Sequence, residues 1–243
     1  MKLPKIDVPT QEVVVPSTKQ TITIRPFLVK EEKVLLTALA SNEYKDVIQA
    51  TKQVVQNCIV SPDFDVNKIS LCDLEYLILQ LRIMSIGNTL KLRFSPIENS
   101  ECEQCKKVRT VEVDLADASV MFNETHKYQI QLTTTIGVVL KDPEARMMET
   151  FEKAKQSDDV DDLFRAMWSC VECVYDEDSQ TSAKDVSVQE GMQFLESLTG
   201  EQFKKISEFF ETLPKLHLSV KIKCDKCDYE DSYVMERLED FFG

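Results

Sequence analysis

The sequence predicts an α+β fold: a small antiparallel sheet made from two cysteine-tipped hairpins, helices packed on one side of it, and a long helical insert. Three observations predict it. Residues 90–113 (LKLRFSPIENSECEQCKKVRTVEV) and 216–235 (LHLSVKIKCDKCDYEDSYVM) each alternate apolar and polar side chains on both sides of a polar turn that carries Cys-x-x-Cys. A period of two on either side of a turn marks a β-hairpin. Elsewhere the apolar period lengthens to that of helices, and only five glycines and eight prolines interrupt 243 residues.

A Cys-x-x-Cys turn sets two sulfurs on one side of a loop, which is half of a tetrahedron. Two such tips complete it. Cys102, Cys105, Cys224 and Cys227 therefore read as a closed structural Zn2+ site that clamps the small sheet and leaves no position open for water or substrate. The usual ribbon spaces its two pairs by roughly 15–20 residues, whereas here more than a hundred intervene. The plainer alternative is two reduced, unliganded cysteine pairs in turns. Redox use of either hairpin pair is disfavoured, because thioredoxin-type chemistry places its thiols at a helix start. Glu101, Glu103 and Asp225 beside these thiols act in the opposite sense.

In chain order, the division is an N-terminal arm and hairpin (1–28), a helical segment (29–87), a zinc-bearing β domain (88–140 plus 215–236), a helical insert (141–214) and an aromatic tail (237–243). Pro4, Pro9 and Pro16 exclude helix in the arm, and Val13–Val15 and Thr21–Ile24 alternate as strands. Val34, Leu35 and Ala38 then share one face of a helix ending near Asn42. A second helix runs through Val47, Ile48, Val54, Val55 and Cys58, with Cys58 as a small core residue. Ser70-Leu71-Cys72-Asp73 reads as a capping box, Asp73 reaching back to Ser70, before a helix that is apolar nearly all round and ends at Gly87-Asn88.

Strands are expected at 126–133 and 136–140, with His126 and His217 as surface strand residues. Pro143 opens a helix over 145–155. The acidic run 157–162 lacks the glycine of a calcium loop and caps the next helix. That helix, 162–175, contains Trp168 and puts Cys170 on its apolar face, with Cys173 along the same side and core packing preferred to a metal role for the pair. Helices over 188–198 and 201–213 follow, the second opened by a capping box from Thr199 to Gln202. The chain ends on Phe241 and Phe242, an apolar tail that docks either on this chain or on another.

Composition narrows the function. A net charge of −13 opposes binding to phosphate backbones and anionic lipid, and neither hairpin tip is a basic stripe. Eight cysteines without a leader segment point to a reducing compartment. No run approaches the roughly 18 apolar residues of a membrane span. Two histidines and no Gly-x-Ser-x-Gly leave hydrolase chemistry little to stand on.

The strings IRPFLVKEEKVLL, DLEYLILQLRIMSIG, WSCVECVYDEDS, FFETLPKL and LEDFF, with the two cysteine hairpins between them, resemble a baseplate protein family of T4-like tailed bacteriophages. The resemblance implies a non-enzymatic hub protein or hub assembly factor that binds other phage baseplate and hub proteins. Its expected location is the host bacterial cytoplasm during assembly, and then the virion tail. No nucleic acid, membrane or small-molecule substrate is implied. The competing readings are a zinc-ribbon nucleic-acid binder and, on Cys170 and Cys173 or one hairpin pair, a thiol redox enzyme.

Overall fold

The computed structural model describes residues 6–41, 43–98, 100–157, 159–236 and 238–241. The expected helix end at Asn42, arm residues 1–5, Phe242 and the side chain of Leu238 lie outside them.

Strands β1 (Gln11–Val14) and β2 (Thr21–Ile24) pair antiparallel, Val13 opposite Ile22, so that their inward residues meet helix α2 (Tyr44–Cys58) rather than water. Helix α1 (Val29–Ser41) precedes α2 and packs on it. Its first turn holds Glu31, almost wholly buried, which accepts from Arg25 at 2.8 Å. Such a charge is tolerated in the interior only when paired and hydrogen-bonded.

Helix α3 (Leu71–Ile86) starts where Ser70 accepts from the Asp73 N–H at 3.1 Å. The reciprocal half of the expected capping box is absent. The Asp73 carboxylate turns instead to the β1–β2 turn, accepting from the backbone N–H of Ser17 at 3.0 Å and from its hydroxyl. A buried carboxylate goes where two donors converge, and the turn offers two. At the other end Gly87, at φ +111°, supplies the backbone conformation that stops the helix.

The all-round apolarity of α3 has a direct structural counterpart. Leu74, Leu77, Ile78 and Leu81 enter a core shared with β1, β2 and α2, while Leu79 enters a second core. That second core is framed by the hairpin of β3 (Thr89–Phe94) with β4 (Arg109–Asp114), by β5 (Ser119–Met121) beyond it, and by the later hairpin of β10 (Lys215–Lys223) with β11 (Glu230–Met235). Phe241 is fully buried in it, so that part of the tail docks on its own chain.

The two cysteine hairpins do not form a single sheet. β3 pairs only β4, while β10 pairs β11 on one side and β5 on the other. They share a core between sheets and not a ladder.

A third core lies among β6 (Gln129–Gln131), β7 (Gly137–Leu140), α5 (Val160–Ser169), β8 (Val171–Tyr175), α6 (Val188–Glu196) and α7 (Gly200–Glu211), with α4 (Met148–Gln156) packed on α5 and β9 (Gln180–Ser182) paired to β8. The strands form one antiparallel sheet in the order β6-β7-β8-β9. Two expectations are corrected here. The span read as a helical insert contains β8 and β9, and β6 pairs with β7 and β7 with β8, not with the cysteine hairpins. The helix expected over 162–175 stops at Ser169, whose hydroxyl donates to the Ala166 carbonyl at 2.6 Å, and the chain continues extended. Val171 and Cys173 fit a period of two, as Cys170, Val171 and Val174 fit one of 3.6, and the pairing of Cys173 and Val174 with Val139 and Val138 decides for strand. Asp159 caps α5 through the Asp161 N–H, and Thr199 with Gln202 forms a full capping box on α7.

Candidate metal centre

The turns that hold the cysteines are built by backbone hydrogen bonds. In the first, Cys105 N–H donates to the Cys102 carbonyl at 3.0 Å, and Ile97 N–H donates to the Cys105 carbonyl at 2.9 Å. In the second, Cys224 N–H donates to the Tyr229 carbonyl at 3.0 Å, and the Lys226 N–H points at the Cys224 sulfur at 3.4 Å. Each tip curls so that its two sulfurs face the other tip. Cys102 Sγ lies 3.9 Å from Cys224 Sγ, and Cys105 Sγ lies 3.6 Å from Cys227 Sγ. All four sulfurs fall within 4.8 Å of one another.

A tetrahedral ion with four bonds of about 2.3 Å to sulfur sets S···S edges of about 3.8 Å. The observed separations bracket that length, so the donor set fits a tetrahedral thiolate site for Zn2+. None of the eight cysteines is in a disulfide. The electrostatics agree with the geometry. Burial pushes the Cys105 thiol up to about 12, aided by hydrogen bonds with Cys224 and Cys227, while the Lys226 N–H brings Cys224 down to about 7. A divalent cation is what lets four crowded sulfurs ionise together.

Among the described residues no other set of three or more His, Cys, Asp or Glu side chains converges in this way. Cys58 and Cys72 are buried thiols, Cys58 raised to about 11 by burial and Cys72 pushed well up by the same cause, inert core residues as the helix register of Cys58 anticipated. Cys170 caps the end of α5 and Cys173 sits in β8, where it accepts from Gln180 Nε2 at 2.9 Å. Burial raises Cys170 to about 12, the reverse of what a redox thiol needs.

The surface-strand reading of His126 is also corrected. It precedes β6, its side chain is 7% exposed, and its Nδ1 lies 2.9 Å from Thr212 Oγ1. Its Nε2 faces Asp142 at 3.5 Å, so threonine, imidazole and carboxylate stand in the order of a catalytic triad. The Thr212 hydroxyl also donates to its own helix, to the Glu208 carbonyl at 2.8 Å. The two clefts of about 420 and 310 Å3, beside α5–α6 and beside Trp168, are lined by other residues. His217 lies in β10 with Nδ1 3.7 Å from Glu236.

Lysines near the hairpins meet carboxylates: Lys106 with Glu103 at 2.6 Å, Lys223 with Glu230 at 2.9 Å, and Lys91 with Glu112 at 3.1 Å. Residues 141–214 contain eighteen acidic and eight basic side chains, a net −10 of the chain's −13. Neither distribution suits a polyanion. Among the described residues no helix is long and apolar enough to cross a membrane.

Sequence reasoning missed Arg109 and Tyr229, which join the tips. The Arg109 guanidinium stands 4.8 Å from the centre of the Tyr229 ring, and Phe94 meets Tyr233 edge-on at 5.8 Å. Their positions beside the thiols were visible; that they face each other was not.

A family model described as T4 bacteriophage base plate protein matches residues 8–243, nearly the whole chain. Neither the curated proteins nor the solved structures contain a match.

Proposed function

The chain belongs to the family of T4 bacteriophage base plate proteins, and from that membership we propose that it is a non-enzymatic hub protein or hub assembly factor of the baseplate. It binds other tail proteins in the host cytoplasm during assembly, and its shape depends on a structural Zn2+ held by Cys102, Cys105, Cys224 and Cys227. The observation that carries this reading is the family match over residues 8–243. Four convergent sulfurs support the metal, since a closed tetrathiolate stabilises and leaves no vacancy for a reaction.

In this role Cys105 and Cys227 from one diagonal and Cys102 and Cys224 from the other bind the ion. The tip backbone orients the thiolates, the Lys226 N–H lowering the charge density on Cys224. Zn2+, when bound, supplies a positive charge that four thiolates share. The consequence is mechanical: residues 105 and 224 become fixed to each other, and everything between them is closed into one loop.

The experiment is copurification of tagged protein from infected cells, with metal analysis of the same sample. Recovery of hub proteins with about one Zn2+ per chain is expected. Recovery of no tail protein overturns the baseplate reading, and tight DNA or RNA binding at low salt favours the zinc-ribbon alternative instead.

A further inference from the structure

Arg109 opens β4, four positions after Cys105. Its Nε and Nη1 are buried, and neither meets a hydrogen-bond acceptor among the described residues. Buried donors of a cation left without an acceptor are costly unless negative charge faces them. Asp231 feels this charge, but it is exposed and already accepts from the Tyr229 hydroxyl and the Ser232 N–H.

Arg109 follows Cys105 by four positions, and its ring partner Tyr229 follows Cys227 by two. Four thiolates around one divalent ion leave two negative charges uncompensated. Tyr229 connects the two features. Its carbonyl accepts from Cys224 N–H at 3.0 Å, its own N–H donates to the Cys227 sulfur, and its ring carries the Arg109 guanidinium at 4.8 Å. Pressure on that ring from the first hairpin is therefore pressure on the second tip.

We propose that Arg109 is the counter-cation and positioning residue of the metal centre, and that its stack on Tyr229 holds the two Cys-x-x-Cys tips in register for the ion. The proposal rests on the tetrathiolate reading of the four cysteines. Arg109 touches neither tip's ligands through a bond of its own; it acts by charge and through Tyr229. A lysine in its place keeps the charge and loses the planar stack, which separates the two contributions.

The test uses the full chain, titrated with Zn2+ against a chromophoric chelator and, separately, with Co2+ followed by its thiolate charge-transfer absorption. Arg109→Gln is expected to weaken Zn2+ binding about tenfold, as loss of an outer partner of a metal site does. Arg109→Lys recovers part of that loss. Tyr229→Phe, which keeps the ring, binds like the unmodified protein, whereas Tyr229→Leu matches Arg109→Gln, and the two losses do not add in the double variant. The Co2+ absorption shifts in Arg109→Gln and not in Tyr229→Phe. Unchanged affinity and absorption in both Arg109→Gln and Tyr229→Leu overturns the proposal. Failure of the unmodified chain to bind Zn2+ at all overturns the tetrathiolate reading itself, and is seen before any variant is made. Should Arg109→Gln not fold, the Tyr229→Phe and Tyr229→Leu pair decides.

Discussion

Cys105 and Cys227 hold their sulfurs 3.6 Å apart across 122 residues of sequence. The backbone brings them there through two separate hairpins that share one core. Removing the ion by a chelator, or substituting Cys105→Ser, is expected to release a very long loop. By loop-closure arithmetic the loss is about 5 kcal/mol, or a fall in Tm of about 10–20 °C for a chain of this size. Calorimetry with and without chelator measures it, and Cys58→Ala should not reproduce the chelator effect.

Glu31 is nearly inaccessible and Arg25 only slightly less so. Burial works to raise the Glu31 carboxyl, but the Arg25 guanidinium and the Leu28 N–H outweigh it, leaving it below the ordinary glutamate value. A group lowered in the folded state contributes stability above its unfolded value, near 4.5, and loses it as pH falls through the folded value. Glu31→Gln should therefore cost about 3 kcal/mol at pH 7, since it strands a buried guanidinium. In urea unfolding the gap to the unmodified protein should narrow steadily below pH 4.5.

Gly191 lies against the Trp168 indole, and a Cβ there would fall 2.0 Å from Trp168 Cε2. Replacing a helical glycine by alanine ordinarily stabilises by about 1 kcal/mol. At this position the sign should reverse, with a net loss of about 2 kcal/mol and a changed tryptophan emission as the ring is displaced. Gly200, with nothing near its would-be Cβ, is the control, and Gly200→Ala should not destabilise through contact.

Phe241 has no exposed surface and packs among Leu79, Leu90, Leu216 and Met235. Phe241→Ala should cost about 3–4 kcal/mol. Denaturant unfolding measures this, and a cost below about 1 kcal/mol would mean that the tail leaves its seat in solution.

The four convergent cysteines were legible because a period-two pattern on both sides of Cys-x-x-Cys is a local signal, repeated. Helix α3 was legible because apolar residues on every face require burial on every face. The end of α5 was not, since Cys170, Val171 and Val174 suit a helix and Val171 and Cys173 a strand until Val138 and Val139 pair with the strand. Asp73 misled for a related reason: Ser-x-x-Asp is a sound cap motif, and only the fold brings Ser17 near enough to take the carboxylate away. His126 likewise reads as a strand residue locally, while Thr212 and Asp142 come to it from distant positions. Arg109 and Tyr229, 120 positions apart, carry no signal that one chain read by itself could reveal.

Helix α3 gives Leu74, Leu77, Ile78 and Leu81 to one core and Leu79 to the next. A rod wetted by oil on both sides cannot act as a pivot, because any swing would bare hydrocarbon to the left and right together. Force applied at the cysteine tips should thus reach the N-terminal hairpin undiminished, as through a rigid strut. A particle put together from many copies and parts would gain a component that transmits its orientation and does not absorb it.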